Sequence, residues 1–249
     1  MLRLLIATLL VLPSFGQEKQ PAPPDKALVD STVANLEAAF KEGRTPDKVT
    51  ALEAAAKVSD KKVVAAIAKG LKDKEHEVVI ATFDALRWNT NEKALGTLEK
   101  YYKKNQKKLK SDGARLPPLL RAIAWHGQES SIAILVEDPF ALRQYDAIQA
   151  RLYGLANIRS VKSVEAIVDL VRKVSQNKAE DYATELRLAM FRLTGTDQGP
   201  SLELWGTWWR GVKKGYKIPE AAPAFSEAQQ QQWDTFWGIE KKQDEGGDR

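Results

Sequence analysis

Apolar positions along this chain recur at helical spacing. Leu28, Val29, Val33, Leu36 and Phe40 fall on one stripe of a 3.6-residue helix, and Val78, Val79, Ala81, Thr82, Phe83 and Leu86 repeat the pattern. Gly43, Gly70, Gly113, Gly127, Gly195 and Gly199 punctuate it as helix ends or turns. No run sustains the two-residue alternation of a half-buried strand. The pattern therefore predicts helices of about 10–15 residues with short connections.

A longer period lies over the helical one. Leu86 is followed by Leu95 and Leu98, Ile123 by Ile132 and Leu135, and Leu155 by Val164 and Ile167. Ala55 with Val64 and Ile67, and Leu193 with Leu202 and Trp205, obey the same rule of nine and twelve residues. The five anchors are spaced by 31, 37, 32 and 38 residues. A turn between the anchor and the ninth residue makes two antiparallel helices. The ninth and twelfth positions then lie one turn apart on the second helix, facing the first. One such pair cannot bury its apolar stripe alone, but stacked pairs share a continuous core. The uneven spacing disfavours tetratricopeptide repeats, whose period is about 34 residues. The expected fold is all-α: an α-solenoid of stacked antiparallel helix pairs, about five repeats.

On these residues the chain resembles the HEAT-like repeat proteins over roughly residues 45–215. The stretch FRLTGTDQGPSLELWGTWWR, Phe191 to Arg210, is similar to an ending of exported bacterial HEAT-repeat proteins, in which LTG precedes W and then WW. The matching residues here are Leu193, Thr194, Gly195, Trp205, Trp208 and Trp209. The regular Asp and Arg of the best HEAT units are absent. The resemblance implies a curved stack of helix pairs that binds protein partners, and it speaks to fold more than to function.

The ends read differently from the middle. Met1-Leu2-Arg3, the apolar run Leu4–Leu12 and the small residues Ser14 and Gly16 follow the order of a secretory signal, with cleavage near Gly16. The apolar run is too short for a bilayer span of about 20 residues. Residues 1–16 are thus expected to be a signal peptide and 17–25 a Pro-rich linker. Residues 26–215 form the solenoid, 216–239 a Trp-containing segment capping its open end, and 240–249 a disordered tail. The expected location is periplasmic or secreted. The chain has no cysteine, which excludes disulfides, a thiol nucleophile, a Cys zinc site and lipid attachment at a cysteine. Stability must then come from apolar packing. A net charge of +5 on 249 residues is mild, so no nucleic-acid partner is expected.

Chemistry-bearing motifs are scarce. His76 and His126 fit no metal motif, and His126 reads as a helix-end residue meeting backbone carbonyls. No GxSxG elbow is present, and Gly195-Thr196-Asp197-Gln198-Gly199 lacks the ending of a phosphate loop. Asp197 or Ser201 is expected to cap the next helix. Asp73, Glu75 and Glu77 read as a helix start. No catalytic residue, metal ligand or cofactor is assigned.

Two features are candidate binding residues. Lys103, Lys104, Lys107 and Lys108 belong to KYYKKNQKKLK, Lys100–Lys110, which would suit an anionic partner or simply a solvated helix end. Trp205, Trp208 and Trp209 share one helical face and its flank, and Trp233 and Trp237 form a further i,i+4 pair. Such clusters stack on ligands or pack, and packing is the stronger expectation. The resulting reading is a non-catalytic envelope scaffold for a protein or peptide. Its alternatives are a glycan- or anionic-envelope-binding module and, further off, a HEAT-like DNA-glycosylase-type enzyme.

Overall fold

The computed structural model describes residues 24–137, 144–173 and 181–239. The expected signal segment and tail lie outside the described residues, as does the expected linker apart from Pro24 and Asp25. The described residues form twelve α-helices and no strand. They are α1 (Lys26–Glu42), α2 (Thr45–Ala56), α3 (Lys61–Ile67), α4 (His76–Trp88), α5 (Lys93–Leu109) and α6 (Leu116–Trp125). After these come α7 (Ile132–Leu135), α8 (Tyr145–Asn157), α9 (Val161–Lys173), α10 (Ala183–Thr194), α11 (Leu202–Val212) and α12 (Glu227–Trp237). Short 3-10 turns, Ala68–Lys72 and Glu129–Ser131, extend α3 and precede α7.

Local chemistry sets many of the boundaries. The Asp25 carboxylate accepts the Ala27 N–H and opens α1. Asp47 Oδ2 accepts the Arg44 N–H at 2.9 Å, and Pro46 occupies the first turn of α2. Pro117 and Pro118 start α6, where missing N–H donors cost nothing. The acidic run before α4 does mark its start, through Asp73, whose Oδ1 accepts the Glu75 N–H at 2.9 Å. The cap expected for α11 is not made. Ser201 stands at its N-terminus without a side-chain cap bond, and Asp197 turns instead to the Gly199 N–H and to Arg187.

The five anchors fall on α2, α4, α6, α8 and α10, and their partners at nine and twelve residues on α3, α5, α7, α9 and α11. All five anchors are buried, and so is every twelfth-residue partner: Ile67, Leu98, Leu135, Ile167 and Trp205. Leu95 and Ile132 are half-buried. The helix α2 packs on α4, α4 on α6, α6 on α8 and α8 on α10. The intervening helices pack in turn, α3 on α5, α7 on α9 and α9 on α11. This neighbour-to-neighbour packing is consistent with a helical repeat. None of the described helices is long and apolar enough to cross a membrane.

Side chains at the ends of the even-numbered helices tie each helix to a neighbour. Asn89 Nδ2 donates to Val58 O at 3.0 Å, and Asn157 Nδ2 to Ala124 O at 3.0 Å. His126 Nε2 meets Leu86 O at 3.2 Å, so it does reach a helix-end carbonyl, that of α4 rather than its own helix. Leu86 O and Ala124 O belong to the last turns of α4 and α6, and Val58 O to the connection after α2.

Candidate peptide-binding groove

The site is built by the last described helix. Ser226 and Gln229 close a reciprocal capping box that starts α12. Gly238 ends it at φ 61°, a left-handed conformation that an L side chain rarely adopts. Between them Trp233, Phe236 and Trp237 recur at i, i+3 and i+4, which makes one aromatic stripe.

That stripe was expected to close the end of the stack. It runs instead back along the even-numbered helices, from α10 towards α4. Phe225 stacks on Phe191 of α10, and the Arg192 guanidinium lies 5.3 Å from the Trp233 ring. Trp233 and Phe236 both meet Tyr153 of α8, at 5.5 and 4.9 Å between centroids. Trp237 meets Trp125 of α6 at 5.4 Å and is fully buried. Gln232 Nε2 donates to the Tyr153 hydroxyl at 2.7 Å. The end of the stack has an aromatic seal of its own. Trp205 and Trp209 are 2% and 4% exposed, and Trp208 and Trp209 pack edge-on against Tyr216. Trp205 Nε1 donates to Gly199 O at 2.9 Å. Of the three tryptophans weighed as binding residues, Trp205 and Trp209 are therefore core, and only Trp208 keeps partial exposure.

Two arginines receive the C-terminus of α12. Arg87 of α4 donates to Trp237 O, and Arg121 of α6 donates to Phe236 O at 3.3 Å. These carbonyls are the negative end of the helix dipole, where guanidinium groups are favourable. Asp84 balances both cations, 3.3 Å from Arg87 and 3.7 Å from Arg121. Arg87 is only 3% exposed. Burial lowers its pKa to about 10, against the opposing pull of Asp84, so it stays charged at neutral pH. Its guanidinium also lies 4.2 Å from the ring of Trp88.

Beyond the end of α12, no described residue covers the adjoining surface of the helices. A cavity of about 1030 Å³ runs between α2 and α4, with Gly238, Arg87 and Trp88 at one end. Val49, Ala56, Ile80, Ala81 and Ala85 supply its apolar surface, and Glu53 of α2 and Glu77 of α4 also line it. Trp88 is 42% exposed there, an unusual state for a large aromatic side chain. His76 lines the groove too, with its Nδ1 accepting from Arg115 Nε at 3.0 Å. Among the described residues, no cluster of three or more His, Cys, Asp or Glu has a metal-binding arrangement.

The lysine stripe lies elsewhere. Lys103, Lys104, Lys107 and Lys108 are exposed on α5 and have no ion pair among the described residues. Lys110 is tied to Glu137 at 3.5 Å, and Tyr102 and Gln106 bond the same carboxylate.

Sequence reasoning did not find the groove residues. Arg87, Trp88, Glu53 and Glu77 carry no motif. The one available signal was Arg87 beside the anchor Leu86, a cation next to a buried stripe. In comparisons with known proteins, no protein-family model matches this chain, and no curated protein matches its sequence.

Proposed function

We propose that this chain is a HEAT-like solenoid of about five helix pairs, exported from the cell, that works as a non-catalytic scaffold. It grips a segment of a partner protein in the groove between α2 and α4. The observation that supports this reading is the shared track. The even-numbered helices already hold an aromatic helix, the chain's own α12, over α10, α8 and α6. The track continues past Gly238 as a groove of about 1030 Å³ that no described residue fills. Ligand sites are concave and mostly apolar with a few placed polar groups, and this groove has that make-up. A helix laid in a groove is a recurring mode of peptide recognition.

The exposed stripe of Lys103, Lys104, Lys107 and Lys108, without an ion pair among the described residues, favours a second reading, an anionic envelope polymer bound on α5. One experiment separates the two. A photo-crosslinking amino acid replaces Ile80, which lines the groove, in cells that make the protein. The expected adduct is to a protein. It disappears when Ala81→Arg fills the groove and persists when the four lysines become glutamate. Loss of the adduct in the lysine variant alone would favour the second reading. An adduct indifferent to both changes would refute the groove.

A further inference from the structure

The groove's charges specify its occupant more narrowly, on the reading that it holds a partner segment. Arg87, Arg121 and Asp84 are committed to one another and to the last carbonyls of α12. Glu75 leans on exposed Lys74 at 3.7 Å. Glu53 and Glu77 have neither a hydrogen-bonded side chain nor an ion pair among the described residues, and both are exposed. One is on α2 and the other on α4, and the small apolar residues Ala56, Ala81 and Ala85 line the same cavity. Alanines let a backbone approach closely, and a helix about 10 Å across already lies in the adjoining stretch of the track.

We propose that the groove docks a basic amphipathic helix of a partner protein, whose apolar stripe lies on Ala56, Ile80, Ala81 and Ala85 between lysine or arginine side chains paired with Glu53 and Glu77. The occupant extends the line of α12 beyond Gly238, so Trp88 packs against its nearer end. The surface it meets is continuous with the one that holds α12. Besides Glu53 and Glu77, exposed Lys57 lines the cavity without an ion pair among the described residues, and the acidic excess of these three charges decides against an acidic helix, which would set like charges side by side.

The test uses the full chain and two fluorescein-labelled fourteen-residue designed helices of identical pattern, one of leucine and lysine, the other of leucine and glutamate. Anisotropy is expected to show binding of the lysine peptide and at least about tenfold weaker binding of the glutamate peptide, a gap of about 1.4 kcal/mol. Glu53→Lys with Glu77→Lys is expected to reverse that order with an unchanged far-UV dichroism spectrum, because both residues are exposed. Ala81→Arg is expected to abolish binding of the lysine peptide. Equal affinity for the two peptides, binding of neither, or a double variant that still prefers lysine overturns the proposal. If Ala81→Arg blocks both peptides without any charge preference, the groove stands as a binding site and only its basic occupant falls. If Ala81→Arg leaves lysine-peptide binding intact, both fall.

Discussion

A close crossing of α6 and α8 gives a sharp test of the packing. Gly154 lies in α8, and a methyl group added there would stand 2.6 Å from Ala124 Cβ of α6 and 3.2 Å from both Leu135 methyls. Carbon atoms in contact prefer about 3.5–4.0 Å. Gly154→Ala must therefore push α8 away from α6 by about an ångström or deform the backbone of one of them, because Ala124 has no rotamer to yield. Overpacking of this kind costs about 1–3 kcal/mol. Against it stands the gain in helix propensity, about 1 kcal/mol for Gly→Ala. Gly96 in α5 supplies the control, since its added Cβ would meet nothing within 4 Å. Gly96→Ala keeps the propensity gain alone and should stabilise by about 1 kcal/mol. The propensity term cancels between the two variants, so their difference isolates the steric cost, about 1–3 kcal/mol. For a chain of this size that is a gap in Tm of about 2–4 °C for each kcal/mol. Urea unfolding followed by far-UV dichroism, with calorimetry, reads it. A Gly154→Ala protein as stable as Gly96→Ala would refute the close α6–α8 contact.

Two more outcomes follow from the aromatic track and the helix ends. Trp237→Ala removes a fully buried ring and should cost about 3–5 kcal/mol, whereas Trp208→Ala, from a partly exposed site, should cost less; melting curves that rank them the other way would refute the placement of α12. His126 is half-buried with Nε2 at Leu86 O, and desolvation lowers its pKa below 6.5 although that carbonyl and Glu99 pull the other way. The unfolded chain then binds more protons, so the contribution of His126 is full above about pH 6.5 and shrinks as pH falls towards the depressed folded value. Tm measured from pH 8 to pH 5 should decline less in His126→Gln than in the parent, and an identical decline would discount the half-buried imidazole.

What could be read from the amino acids alone was whatever depends on near neighbours in the chain. The spacing of Leu86, Leu95 and Leu98, and its four echoes, is set by helix geometry and by the need of each helix to bury a stripe. It placed every anchor on one helix and its partners on the next. The capping box at Ser226 and the left-handed turn at Gly238 are equally local. The exposed lysines of α5 follow from the same helical wheel. The destination of α12 was beyond such reasoning. Trp233 and Trp237 announce an apolar face, but hydrophobic attraction has no direction and does not say which apolar surface receives it. The neighbouring α11 was the nearer choice in sequence, yet Trp205, Trp208, Trp209 and Tyr216 already pack together there. Tyr153 and Trp125 receive the stripe along the helices instead.

Arg87 shows the same divide. Periodicity can mark it as the neighbour of a core leucine, but only the arrival of the Trp237 carbonyl, 150 residues later, allows a guanidinium to be buried there. The groove is the residue of that docking. The helix α12 stops at Gly238 while the helices beneath it continue to α2, so no described residue covers Trp88, Glu53 and Glu77. Local spacing determined the helices and their alternation. Contacts between residues far apart in the chain decided which surface α12 covered.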